Sequence, residues 1–231
     1  MKVTVGLSPR DEIAAPLGVV IDVLRATSVI CQAFASGYER IVCVGEVDEA
    51  RALAGDGVAL GGERHNVRPE GFDYGNSPRE FAAGPATHST LVLTTTNGTR
   101  LLLAASARCE SVIVGSLLNL DAVVRAVAAS GVPEVALLCA GVEGRFAVDD
   151  AYVAGVLAGE IGGEPDDSAA AAIRLAGSFA SDEDGIGGGV SAENIRRVGL
   201  EDDIPFCAQR GLLDVVPRVV GRTASSVELA I

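Results

Sequence analysis

Thr90-Leu91-Val92-Leu93-Thr94-Thr95-Thr96-Asn97-Gly98-Thr99-Arg100 runs from a β-rich segment, Thr90 to Thr95, through an Asn-Gly corner into a helix-compatible stretch, Thr99 to Ala107. The short apolar run bounded by turn residues reads as a strand and the longer one as the helix after it. The same pair recurs on both sides. Upstream are Val19 to Asp22 with Thr27 to Ser36, Ile41 to Val44 with Asp48 to Ala54, and Val58 to Gly61 before a long loop. Downstream are Ser111 to Gly115 with Asp121 to Ser130, then Glu134 to Cys139 with a helix from about Asp149 to Ile161. Lys2 to Leu7 adds an N-terminal strand. Alternating β and α segments predict an α/β fold with helices on both sheet faces and parallel strands whose carboxyl ends meet at one edge. We read the 231 residues, 48% of them hydrophobic, as one domain, 1–231.

After Ile161 the pattern weakens. Gly162-Gly163-Glu164-Pro165 breaks the chain, an alanine-rich helix is predicted from Asp167 to about Ala180, and the acidic, glycine-rich Ser181 to Gly189 reads as a loop, a lid or simple slack. A last helix is predicted from Ser191 to Val198, stopped by Gly199, with extended pieces at Ile204 to Ala208 and Val215 to Val220.

The formal charge of −13 and the pI near 4.5 argue against a nucleic-acid groove or an anionic membrane surface. Both need a positive field reaching beyond a Debye length of roughly 8 Å. Lys2 is the only lysine, so the other cations are arginines, whose fork binds carboxylate, sulfonate or phosphate through paired donors. Cys31, Cys43, Cys109, Cys139 and Cys207 form an odd set without a CxxC pair, which fits free thiols in a reducing cytoplasm. No basic segment followed by a long apolar one opens the chain, and no apolar run reaches the ~18 residues of a membrane span. A soluble, unprocessed, cytoplasmic protein is expected, with a homo-oligomer as the prior.

The polar motifs follow the strands. Asp22 and Arg25 come after Val19-Val20-Ile21, Thr94 to Arg100 after Leu91-Val92-Leu93, Gly115 to Asn119 after Val112-Ile113-Val114, and Cys139 to Asp150 after Val135 to Leu138. Thr94 to Arg100 offers four hydroxyls, an amide, a glycine and an arginine between strand and helix, which suits an oxyanion cradle better than a bare turn. The polar loop from Gly61 to Asn76 ends in Ser77-Pro78-Arg79-Glu80, which reads as a capping box exposing helix N–H groups beside Asn76 and Ser77. Asp22 ends a buried strand and requires a partner, a network or a metal. Glu63, Asp73, Asp149 and Asp150 add carboxylates, whereas His65 and His88 are the only histidines. That balance disfavours zinc and points to magnesium, held by one or two carboxylates plus substrate phosphate. Neither a Walker pattern nor a G-x-S-x-G elbow is present. Cys139 to Arg145 has the C-x5-R spacing of cysteine phosphatases, but Leu138 precedes it and Glu143 puts negative charge in the loop.

Taken together, Val20 to Thr27, Gly62-Glu63-Arg64 with Gly71 to Pro78, Thr94 to Thr99, Gly115 to Asn119, and Cys139-Ala140-Gly141 with Phe146 to Asp150 resemble the 2-phosphosulfolactate phosphatase family over about residues 19 to 155, with a weaker echo at Asp203 to Cys207 and Val216-Pro217. Asp149-Asp150 replaces the family's usual Glu-Asp, and His65-Asn66 stands where glycine is expected. The resemblance implies a three-layer α/β/α fold with a mixed, largely parallel sheet. It also implies a magnesium-dependent phosphatase that converts 2-phospho-3-sulfolactate to 3-sulfolactate, a step toward coenzyme M, acting on a small anionic phosphomonoester.

On that reading Asp22, Arg25 and Asp150 are the catalytic residues, and Asp22, Glu63, Asp73 and Asp150 the magnesium ligands. Arg64, Asn76, Ser77, Thr95, Thr96, Asn97, Gly98, Thr99, Arg100, Asn119, Cys139 and Arg145 would bind substrate. Asp22, Asp73, Asp150 and Arg100 must then share one pocket. Water or a protein carboxylate stays open as the attacking group, with metal-activated water favoured because the position two after Asp22 is Leu24 and not a second aspartate. Two alternatives stay open: a cysteine phosphatase built on Cys139 and Arg145, and a non-catalytic binder of a small phosphorylated or sulfonated acid.

Overall fold

Neighbouring side chains of single strands serve opposite cores in the computed structural model, which describes residues 1–231. Val19, Ile21, Val135 and Leu137 pack into one apolar cluster, and Val20, Ala136 and Leu138 into another. This period of two follows from the pleat and requires helices on both faces.

The elements in chain order are β1 (Lys2–Gly6), β2 (Leu17–Ile21), α1 (Ala26–Ala35), β3 (Arg40–Val44), α2 (Val47–Ala52), β4 (Val58–Gly62), α3 (Pro78–Ala82) and β5 (Thr90–Thr94). Then come α4 (Gly98–Arg108), β6 (Ser111–Gly115), α5 (Leu120–Ser130), β7 (Glu134–Cys139), α6 (Val148–Ile161), β8 (Glu164–Pro165) and α7 (Asp167–Ala176). The last are α8 (Asp182–Gly187), α9 (Val190–Arg197), α10 (Asp203–Cys207), β9 (Arg218–Arg222) and β10 (Ser226–Ala230). The fold is α/β, as expected, on one mixed sheet of order β4-β5-β3-β10-β9-β6-β2-β7-β1-β8.

The topology departs from a single parallel array. One block, β4-β5-β3, and another, β6-β2-β7-β1-β8, are each internally parallel. The hairpin β9–β10 joins them by antiparallel pairing on both flanks. Each antiparallel step reverses direction, so the two blocks run in opposite senses. In a flat sheet their carboxyl ends would lie at opposite edges.

The sheet therefore bends. Helix α4 touches β3, β10, β9, β6, β2 and β7. Six adjacent strands span roughly 24 Å at about 4.8 Å each, and α4, 11 residues long, lies across them. Asp22 after β2 and Glu63 after β4, at the carboxyl ends of the two blocks, line one cleft, which a flat sheet would not allow. The sheet curls around α4, helped by twist of roughly 20–25° per strand and by an irregularity between Glu228 and Leu229. Leu101, Leu102 and Ala105 fill the concave side with residues from both blocks. Parallel pairing alone was expected to gather the strand ends; curvature does it.

Three sequence expectations are corrected. Ser181 to Gly189 is not a loop, because Ser181 caps α8 by accepting the Asp184 N–H at 3.1 Å. Ile204 to Ala208 is not extended, since Asp203–Cys207 is the helix α10, packed against α3 and α8. The capping box before α3 does not form, because Glu80 accepts from the Gly75 N–H at 2.6 Å while the Ser77 hydroxyl turns to Asp203. No helix is long and apolar enough to cross a membrane.

Candidate active site

Four helices of eight or more residues begin around one cleft of about 270 Å³. Arg25 precedes α1, Asn97 precedes α4, Asp149 and Asp150 open α6, and Ser191 opens α9; all five side chains line the cleft. Helix starts are positive, which offsets part of the cost of placing carboxylates there.

Asp22 leaves the end of β2 and sits against the first turn of α4. A Cβ on Gly98 would lie 2.5 Å from the Ala26 Cβ and 2.7 Å from Asp22 Oδ2. Gly98 is thus a spacer letting α1 and α4 meet, and not the anion contact anticipated for it. Gly98→Ala should force these helix starts apart, costing about 1–3 kcal/mol of stability. It should also cut turnover at least tenfold, checked by thermal unfolding and initial rates on the same preparation.

Burial and mutual repulsion dominate the electrostatics. Burial, then the charge of Asp149, pushes Asp22 up to about 7 against an ordinary 3.8. Burial pushes Asp149 up to about 6, opposed by the Ser191 hydroxyl that Asp149 Oδ1 accepts at 3.0 Å. Asp150 is raised well above the usual carboxylate range by burial and by Asp149 and Asp22. Its oxygens accept the Val23 N–H at 2.9 Å and the Gly141 N–H at 2.8 Å, tying the ends of β2 and β7 together. Asp150 is therefore committed to backbone and less free to react than the sequence suggested.

A carboxyl raised in the fold favours its neutral form, so its contribution to stability is full below the unfolded value near 4 and is lost as pH rises through about 7. Without metal, the melting temperature should fall from about pH 5 to about pH 8 more steeply in wild type than in Asp22→Asn. Scanning calorimetry checks it; parallel curves for the two proteins would refute the assignment.

Other sequence candidates divide clearly. Asn76, Thr95, Thr96 and Asn97 line the cleft with Asp22, Arg25, Glu63 and Asp150. Thr99 is buried one turn on, exchanging hydrogen bonds with Thr95 that brace the corner. Glu63 lines the cleft and accepts the Thr96 N–H at 2.7 Å and the Asn66 N–H at 2.8 Å.

Asp73 is corrected: it is exposed, outside the cleft, and accepts the Leu60 N–H at 2.8 Å. Arg100 is exposed and pairs with Glu46 at 3.7 Å. Arg64 is consumed by the carbonyls of Glu63 and Gly45 and by the Thr94 hydroxyl. Asn119 is fully engaged with Ser116 and the carbonyls of Val114 and Val215. Arg145 is exposed on a tight turn that bridges back to Val142. None of these five lines the cleft, so the single pocket demanded of Asp22, Asp73, Asp150 and Arg100 holds only the first and third. Ser77 is also outside the lining, buried with its hydroxyl on Asp203.

Cys139 is buried in the core, its thiol pushed well above 9 by burial and by Asp150 and Asp149, the opposite of an activated thiolate. A cysteine phosphatase is disfavoured on that ground.

Sequence reasoning did not single out Ser191, Asn194 and Arg197 as cleft residues, nor assign Asp149 a role. The start of the last helix at Ser191 was legible; its docking over the cleft was not. His65 and Asn66 also line it, both at positive φ.

The carboxylates of the cleft outnumber its guanidinium groups: Asp22, Glu63, Glu143, Asp149 and Asp150 against Arg25 and Arg197. No three acidic, histidine or cysteine side chains converge into a ready-made metal cage. The set suits a hydrated dication better, one that takes one or two carboxylates and completes its shell with water and a ligand.

A cleft ringed by helix starts on an α/β sheet is the usual setting for a small-molecule site, and comparison with known proteins gives the class as phosphomonoester hydrolase. A family model described as 2-phosphosulpholactate phosphatase matches residues 3–222. A protein of Thermus thermophilus named "Probable 2-phosphosulfolactate phosphatase" is 35% identical over 98% of each chain. Proteins of the same name from Thermotoga petrophila, 36% identical over 94% of this chain and 95% of that protein, and Deinococcus radiodurans, 32% identical over 95% and 94%, also match. The chain belongs to the 2-phosphosulfolactate phosphatase family.

Proposed function

We propose that this protein is a magnesium-dependent phosphatase that cleaves the phosphomonoester of a small 2-hydroxy acid bearing a second anionic group, with 2-phospho-3-sulfolactate as the foremost substrate. The observation that carries the reading is the charge imbalance of the cleft: five lining carboxylates face two arginines. A substrate with up to roughly four negative charges would be repelled from such a site unless a cation enters with it.

Asp22 and Asp149 would hold magnesium. They are the buried cleft carboxylates least occupied by backbone N–H groups, Asp22 Oδ1 having only a long bond of 3.4 Å from the Ala26 N–H. When bound, the ion neutralises charge on the phosphoryl oxygens and makes water more acidic. Arg25, Thr96 and Asn97 hold the phosphoryl group, so that most of the catalysis is positioning and charge stabilisation. Water is the attacking group, since Leu24 occupies the place a second aspartate would need.

The test is phosphate release from a panel of phosphorylated hydroxy acids, with magnesium and with chelator. Release only with magnesium, fastest for sulfonated or dicarboxylic esters, supports the proposal. Release undiminished by chelator defeats it.

A further inference from the structure

Arg25 is 1% exposed, yet Nε and Nη2 have no hydrogen-bond partner in the protein. Only Nη1 is engaged, donating to Asp203 Oδ2 at 2.7 Å. Asp203 is itself 0% exposed, and its Oδ1 accepts the Ser77 hydroxyl at 2.6 Å. A single contact at one end of a guanidinium is a poor way to neutralise a buried charge, because each stranded N–H forfeits its hydration.

The stranded atoms are not random. Nε and Nη2 form the side edge of the fork, whose parallel N–H vectors match two oxygens of one phosphoryl group. Arg25 lines the cleft, and the Thr96 hydroxyl and Asn76 Oδ1, also buried without partners, line it too. Three unpaired polar groups around one cleft mark where a polar ligand completes the bonding.

The geometry points to Asp203 and Ser77 as positioning residues that pin the Nη1 end of Arg25 and hold its Nε–Nη2 edge toward an oxyanion in the cleft. Because guanidinium is planar and rigid, fixing one end aims the other. Ser77 holds Asp203 by its second oxygen, so the carboxylate cannot swing. The clamp joins three distant segments: the start of α1, the entry to α3, and α10. Sequence motifs mark Asp203 only as the start of a weak echo, with no role attached. The inference rests on the proposed phosphoryl site but names residues outside the cleft lining.

Ser77→Ala tests it with least risk to folding, beside Ser77→Thr and Asp203→Asn. The probe is inorganic phosphate, its affinity measured by calorimetry with magnesium present; magnesium affinity is measured separately, and KM and kcat follow on the best ester. Ser77→Ala should weaken phosphate binding about tenfold and Asp203→Asn more, while Ser77→Thr stays within about twofold of wild type. Magnesium affinity should change less than about twofold in all three, with KM raised and kcat lowered in Ser77→Ala and Asp203→Asn.

Unchanged phosphate affinity in Ser77→Ala would overturn the inference, as would equal losses for phosphate and magnesium, which signify a loosened site. If Asp203→Asn does not fold, Ser77→Ala decides. A wild type that hydrolyses no ester, yet whose phosphate affinity responds as stated, sinks the phosphatase proposal and leaves the clamp standing. An active wild type whose phosphate affinity ignores Ser77 does the reverse.

Discussion

Asp22→Asn is expected to lower kcat/KM for phosphate release about a thousandfold, equivalent to ~4 kcal/mol of transition-state stabilisation. The substitution keeps size and shape and removes only the charge. That charge matters because Asp22 Oδ2 is packed against Gly98 at the start of α4, beside the proposed phosphoryl site. The variant should fold at least as well as wild type near neutral pH, since Asp22 is raised to about 7 and its ionisation costs stability in the metal-free protein. Magnesium should raise the wild-type melting temperature by several degrees and the variant's by much less. Initial rates and calorimetry on one preparation separate these effects. An active Asp22→Asn protein would remove the carboxylate from the chemistry; an unfolded one would show that its role is structural.

Asp203→Ala should destabilise the protein by about 3–5 kcal/mol, lowering the melting temperature by on the order of 10 °C in a chain of this size. The loss arises from Arg25, a buried cation left without its hydrogen-bonded ion pair. Ser77 loses its acceptor at the same time. Pairing the change with Arg25→Met removes the stranded charge and should recover most of the stability without any activity. A double variant no more stable than Asp203→Ala would contradict this account, and its calorimetric profile decides it.

Local pattern carried the strands and helices as far as α6. Ser111–Gly115 and Glu134–Cys139 begin and end where the sequence places them, because a buried strand bounded by polar residues leaves little choice. The last third was harder to read. Asp182–Gly187 is rich in glycine and acid and has little intrinsic helix preference, so its helix depends on the Ser181 cap and on packing against α6. The hairpin β9–β10 was only half visible: Val215 to Val220 reads as extended, but Ser226–Ala230 is short and its two buried residues, Val227 and Leu229, leave a faint alternation.

Candidate residues sorted by a physical rule invisible in one dimension. Asp22, Thr96, Arg64 and Asp73 all come in segments that leave strand ends. Asp22 and Thr96 face the cleft, yet Asp73 spends its carboxylate on the Leu60 N–H and Arg64 its fork on carbonyls. A polar side chain near a strand end can satisfy the backbone that turns there, face the cleft, or do both as Glu63 and Asp150 do, and composition does not distinguish these.

By itself the sequence determined the α/β alternation, the family and the placement of carboxylates and hydroxyls after the strands, because these follow from local periodicity and from ordered motifs. Only the tertiary structure decided which of them meet. Two parallel blocks of opposite sense share a cleft because the sheet curls around α4, and Arg25 finds Asp203 across 178 positions of chain because α10 packs against α3. Such contacts are set by how layers close over a core, a property of the whole packed chain that no window of residues contains.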